Sequence, residues 1–311
     1  MKIARWTWLA GLVLLLLAPF IGLYPVFMMK ALCYAIFACA FNLLLGYTGL
    51  LSFGHAAFLG AAAYATGWLV RSAGWSPELG VLAGTGVAAL LGLGVGLLAI
   101  RRQGIYFAMI TLALAQMVYF VCLQAPFTGG EDGLQGVPRG TLFGFLPLGS
   151  DVTMYYVVLA VFVAVFALIV RIVHSPFGQV LKAIRENEPR AISLGYDVDR
   201  YKLLAFVLST ALAGLAGSLK TLVLGFATLS DAHWSLSGEV VLMTLLGGMG
   251  TFAGPVIGAF TIIGLQDHLS DRVGSWVTVI LGAIFVVCVI AFRRGFVGEL
   301  LAWQKRRSAR R

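Results

Sequence analysis

The sequence predicts an all-α polytopic membrane protein of about ten transmembrane or broken, re-entrant helices. Composition is the first reason: 60% of the 311 residues are apolar and 11% are charged, whereas soluble domains carry about a quarter of their residues as charges. Spacing is the second, because the apolar residues fall in blocks of about 20, the helix length that crosses a hydrocarbon core about 30 Å thick. Glycine is the third. The 38 glycines have no collagen-like period, and segments such as Gly80 to Gly84, Gly92 to Gly96 and Gly250 to Gly258 carry the small-xxx-small spacing that lets helices approach closely in lipid.

Taken in order, an apolar run follows Lys2 and Arg5 and reaches about Met28. It is too long for a typical signal-peptide core and meets no A-x-A cleavage site, so it is expected to remain as a first span. Further spans are expected at about Ala31 to Tyr47, Phe53 to Val70, Glu78 to Ile100, Ile105 to Gln124, Thr153 to Val173 and Leu203 to Phe226. Residues 125 to 152 are a polar, Gly- and Pro-rich loop. The stretch Gly238 to Leu265 is apolar but broken by GGMGTFAGP, and a last span runs from about Gly274 to Phe292. The whole chain, 1–311, reads as one transmembrane domain with a polar loop at 174–202 and a basic tail at 293–311.

A net charge of +9 would suggest a nucleic-acid partner in a soluble protein, but here the placement of the charges carries the information and no nucleic acid is expected. Loops that stay in the cytoplasm are rich in Lys and Arg. With the N-terminus inside, residues 1–6, 101–104, 171–202 and 293–311 hold 17 of the 22 Lys and Arg. Both termini are then cytoplasmic, provided that Gly238 to Leu265 makes two short passes or a re-entrant pair. Only Lys220 is left within a span.

The two Gly-rich breaks, LGYTGLLSFG (Leu45 to Gly54) and LGGMGTFAGP (Leu246 to Pro255), are the nearest thing to an internal repeat. Broken helices in matching positions of two halves point to a transport pathway, since non-helical backbone at depth must face protein or water. Tight packing in a Gly-rich chain is the alternative. The pathway candidates are Gly49, Ser52, Gly54, His55, Glu239, Gly247, Gly248 and Gly250. Glu239 stands out because an acid at membrane depth is costly, although a hydrogen bond to a neighbouring broken helix would also explain it. His55 has a packing or polar-network role as its alternative. The N-termini after the breaks would offer N–H groups to a passing carboxylate.

No catalytic or metal-binding set is legible. GLAGSLKT (Gly214 to Thr221) has Leu219 where a P-loop needs Gly, and it lies in a span. GMGTFA (Gly248 to Ala253) lacks the strands of a dinucleotide site. The histidines, His55, His174, His233 and His268, are dispersed, and Cys33, Cys39, Cys122 and Cys288 sit in apolar blocks without a CxxC pair. No cofactor is expected in this chain.

The loop at 174–202 reads as two short helices. Ser175 caps the first with Pro176 behind it, placing Val180, Ala183 and Ile184 on one face; Asn187 caps the second, which ends at Gly195. An apolar face unmatched within the loop suits either a groove on a partner or anionic lipid.

The segment GQVLKAIRENEPRAISLGYDVDRYKLLAFVLSTALAGLAGSL, together with GLLSFGHAAFLGAAAY, GIYFAMITLALAQ, FTGGEDGL and EVVLMTLLGGMGTFAGPVIGA, resembles the M-type membrane subunit of branched-chain amino acid ABC importers, over residues 31 to 296. The resemblance implies an inner-membrane permease, with ATP and Mg on separate ATP-binding subunits. It also implies a homologous second permease and an extracytoplasmic solute-binding protein. The 174–202 loop is then the coupling loop, with Gly178, Lys182, Ala183, Arg185, Glu186, Asn187, Glu188, Ala191 and Gly195 at the ATPase contact. Pro189 and Arg190 depart from the usual apolar or small residues there. Relatives with these motifs also carry urea and short amides. An ion-coupled transporter would require more intramembrane acids than Glu239.

Overall fold

The computed structural model describes residues 11–22, 24–276, 279–280, 282–284, 286 and 295–299. The last expected span falls only partly within these residues, and most of the basic tail and residues 1–10 lie outside them.

Helix α1 (Pro25–Thr48) is the central post, buried along nearly its whole length. It packs against α5 (Asp151–His174), α8 (Val198–Leu224), α9 (Trp234–Gly247) and α10 (Gly254–Val273), while α2 (His55–Arg71) and α3 (Pro77–Ala99) pack on α8, and α4 (Ile105–Gln124) packs on α2 and α3. The loop helices α6 (Pro176–Glu186) and α7 (Glu188–Ser193) close one end, the loop side. Helices α1, α3, α4, α5 and α8 are long and apolar enough to cross a membrane. The chain is a multi-pass membrane protein.

Burial follows lipid logic. Helix α3 buries Gly80, Gly84, Ala88, Gly92, Gly96 and Ala99 and turns Leu79, Leu82, Leu90, Leu97 and Leu98 outward. In a bilayer large apolar side chains gain nothing from hiding, and small ones let backbones meet. Thr66 and Ser218 meet α3 at Gly84, and Thr210 meets it at Gly92. The Thr66 hydroxyl donates to Ser218 Oγ at 2.8 Å.

Three boundaries differ from expectation. Helix α1 starts at Pro25, not near Ala31, because Gly22 (φ 83) breaks the chain and Pro25 fits a first helical turn. Lys30 is therefore inside α1, where it pairs with Asp267 of α10 at 3.2 Å. Helix α8 starts at Val198, not near Leu203: Asp197 accepts from the Arg200 N–H at 3.3 Å, and Lys202 is buried against Glu188 at 2.6 Å. Helix α9 starts at Trp234, four residues before Gly238.

On the side opposite the loop, β1 (Leu134–Gln135) pairs with β4 (Phe226–Ala227), and β2 (Thr141–Leu142) forms a hairpin with β3 (Leu146–Pro147). Arg139 pins this region, donating to Asp151 Oδ1 at 2.6 Å and to the Val223 carbonyl at 2.9 Å.

Candidate coupling and translocation site

The broken stretch Gly238 to Leu265 is two helices. With 14 residues α9 is about 20 Å long, well short of a span. It ends at Gly247, and Gly248 takes φ 118, a region closed to residues with a Cβ. Gly247 then lies against the Gly254 backbone at the start of α10, where a Cβ would strike it. Thr251 Oγ1 caps α10, accepting from Gly254 N at 3.1 Å.

The first break is built differently. Gly49 (φ 77) ends α1 on the loop side, and the chain then climbs back. His55 Nε2 and Ser209 Oγ are 2.8 Å apart, and that hydroxyl donates to Ala40 O at 2.5 Å. Ala40 is two turns up from the end of α1, so α2 begins about 12 Å above the turn. Ser52, fully buried, accepts from Gly54 N at 3.3 Å, and Ser237 of α9 accepts from Ala56 N at 2.9 Å. Side chains therefore take N–H groups at both N-termini. His55 itself lies among Phe41, Phe58 and Phe206, each with its ring edge-on to the imidazole. Glu239, half-buried, accepts from Gln266 of α10 at 3.0 Å.

The two breaks meet on the loop side. Buried Asn42 of α1 donates to Thr251 O and accepts from Gly250 N, each at 2.9 Å, so one side chain of α1 closes both polar groups of the second break. Tyr47 and Phe252 bring their rings to 5.9 Å. The loop helix α6 joins this junction. Arg185 donates to the Gly46 carbonyl, its stem lies against Gly49 and its Nη1 lies beside Gly250. Lys182 sits over the Tyr47 ring at 5.9 Å, and His174 stacks on Phe252 at 5.4 Å. Beside the first break is a cavity of about 390 Å³, lined by Gly49, Leu50, Leu51, Phe53, Phe107 and Met109 among others.

The caps of the loop are as the sequence spaces them. Ser175 Oγ accepts from Gly178 N at 3.4 Å, Asn187 Oδ1 accepts from Arg190 N at 3.1 Å, and Gly195 takes φ 87. The expectation of an unmatched apolar face needs correcting. Ile184 is buried against Ala191 and Val198, with Val180 and Tyr201 around them, so α6 and α7 share a small core with the first turn of α8. Gly178 is a packing position as well, since a Cβ would strike the Ile172 and Val173 carbonyls. Glu188 is a tie that accepts from Gln103 Nε2 at 2.8 Å and pairs with Lys202. Ala183, Glu186 and Asn187 are left exposed. Beside them stand Ile192 and Leu194, 57% and 67% exposed. Sequence reasoning passed over that pair; an Ile and a Leu in a polar loop were the available signal.

A family model described as branched-chain amino acid transport system / permease component matches residues 25–289. The chain is similar to the high-affinity branched-chain amino acid transport system permease protein LivM of Escherichia coli K12, 29% identical over 285 residues that cover 83% of this chain and 66% of that protein. It thus spans about two-thirds of the length of that relative. It is also similar to LivH of the same organism, 24% identical with 86% of this chain and 91% of the relative covered. A third relative is the autoinducer 2 import system permease protein LsrC of Klebsiella pneumoniae, 30% identical over 61% of this chain and 55% of the relative. No solved structure matched the chain.

Proposed function

The chain belongs to the branched-chain amino acid transport system permease family, and from that premise we propose that it is the permease subunit of an ATP-driven importer for branched-chain amino acids or a similar small polar solute. It works by alternating access, with ATP and Mg on separate subunits docked at the 174–202 loop. A homologous second permease completes the pathway, as the likeness to both LivM and LivH suggests, and an extracytoplasmic binding protein delivers the solute. It sits in a bacterial inner membrane with both termini inside. The LsrC relative supports a family carrying more than one class of small solute.

One observation carries the reading. Arg185 of α6 donates to the Gly46 carbonyl and lies beside Gly250, so the loop that would meet an ATPase is bonded to the first helix break and touches the second. A force on α6 would reach both without passing through a flexible linker. The cavity beside the first break offers apolar walls of the kind an aliphatic side chain would meet.

The experiment is co-purification of the tagged permease with its ATPase, paired with uptake. Ala183→Asp, on the exposed face, is expected to end both association and uptake. Uptake that survives removal of the ATPase would show the ATP-driven reading to be wrong.

A further inference from the structure

Lys220 lies within α8 and has its partner in the segment between α8 and α9. Gly225 (φ 76) turns the chain at the end of α8, and Phe226 and Ala227 pair with β1. The segment then sinks among the helices, so that Ala227, Asp231 and Ala232 are all buried. The Lys220 ammonium donates to Asp231 Oδ1, with the two side chains 7% and 4% exposed. Asp231 Oδ2 accepts from Thr228 N at 3.1 Å. Ala232 lies so near α2 that a Cβ on Gly60 would come within 2.7 Å of its backbone.

A buried ion pair is weak evidence for stability, because well-packed apolar residues of similar volume usually serve as well. A charge buried inside a membrane-protein bundle is costly enough to ask for a use. The polar inventory around this pair is unbalanced. An ammonium has three donors, and Asp231 is its one hydrogen-bond acceptor among the described residues. Tyr64 of α2, 2% exposed, has a buried hydroxyl with no partner among the described residues, and it stands one turn along α2 from Gly60, which meets Ala232, and next to Ala63, whose carbonyl accepts from Thr221 Oγ1 at 3.4 Å. The cluster therefore holds spare donors and lacks an acceptor of the kind a carboxylate supplies.

We propose that Lys220, Asp231 and Tyr64 form a station for the zwitterionic head of an amino acid, closed on itself in this structure. It rests on the amino-acid reading above and narrows it. The incoming carboxylate takes the Lys220 ammonium and the Tyr64 hydroxyl while the incoming ammonium takes Asp231. Charge stays balanced throughout, since a zwitterion brings both partners the pair loses. An isolated anion or cation would leave one buried charge uncompensated, and a neutral amide offers too little to part the pair. The station therefore selects zwitterions over urea and amides.

The test uses the complete transporter in proteoliposomes with labelled L-leucine as the probe. Tyr64→Phe removes only a hydroxyl that no described group needs. It is expected to raise KM about tenfold with the maximal rate little changed, as for one lost hydrogen bond to a charged group. The double variant K220M/D231N removes both charges while leaving an amide oxygen for the Thr228 N–H, and is expected to assemble with uptake at least about twentyfold lower. A merely structural pair would tolerate that replacement. Leucine uptake within about twofold of wild type in the assembled double variant overturns the station, and so does an unchanged KM in Tyr64→Phe, which decides the matter if the double variant fails to assemble. A wild-type complex that moves no amino acid overturns the cargo reading together with the station; wild-type transport beside a fully active variant overturns the station alone.

Discussion

Arg185, in the last turn of the loop helix α6, donates to the main-chain carbonyl of Gly46, in the last turn of α1. That carbonyl is among the last of its helix, with no N–H four residues on to accept from within α1. A positive charge at a helix C-terminus is also favourable in the field of the aligned peptides. The contact is therefore a helix cap supplied from another element, and it makes the end of α1 and the position of α6 one variable.

Arg185→Met should separate the two. The methionine keeps much of the stem that lies against Gly49 but has no donor, and the stability loss should be about 1–2 kcal/mol, in the range for a hydrogen bond from a charged group. Uptake should fall about tenfold or more while the ATPase still co-purifies and hydrolyses ATP. Loss of ATPase association in equal measure would mean that Arg185 serves docking and does not link the breaks.

Asn42 makes the second link. It is 3% exposed, and replacing it by Leu leaves Thr251 O and Gly250 N without the partners they have at 2.9 Å. Two half-buried groups left open should cost about 1–2 kcal/mol, read as a lower thermal unfolding midpoint in lipid nanodiscs. Asn42→Asp keeps the acceptor for Gly250 N and loses the donor to Thr251 O. Its carboxylate, buried opposite the Thr251 carbonyl, should make the loss at least as large as for Leu.

Much of this was legible in the chain and some was not, for reasons visible in particular residues. Block length and the Lys and Arg distribution give the helices, because a bilayer forces every backbone group into a helix of set length. The caps at Ser175 and Asn187 are local and need only the next three residues. Misplaced boundaries arose at Lys30 and Lys202, where a charge reads as the end of a span but is partnered from α10 and from Glu188. Long-range pairing of that kind has no local signature. Nor has the meeting of the breaks, since Asn42 and Gly250 are 208 residues apart. The loop's apolar face reads as unmatched because Val198, which helps cover it, lies a dozen residues further on.

Ile192 and Leu194 offer a sharper probe of docking than Gly178. A side chain at Gly178 would disturb the corner between α5 and α6, whereas Ile192 in α7 and Leu194 just past its end have most of their surface free. Ile192→Asp combined with Leu194→Asp should leave thermal stability within about 0.5 kcal/mol, as for exposed positions. ATPase association should weaken at least about tenfold. Unchanged co-purification would place the ATPase contact on another face of the loop.

The glycines of α3 and α8 test whether close backbone approach, and not glycine content as such, holds the bundle. At Gly217 an added Cβ would run into the Leu59 backbone carbonyl, and at Gly92 it would meet the Thr210 side chain. A carbonyl within a helix cannot step aside without moving α2, and a β-branched threonine has little rotamer freedom to yield. Gly86 and Gly94 share α3 with Gly92, yet nothing lies within 4 Å of a Cβ built on either. Gly217→Ala and Gly92→Ala should therefore each lose about 1–3 kcal/mol, the usual range for overpacking. Gly86→Ala and Gly94→Ala should be neutral or gain about 0.5–1 kcal/mol from the better helix former. Thermal unfolding of the four variants side by side reads the difference, and equal losses at all four would mean that α3 and α8 are not held by the contacts at Gly92 and Gly217.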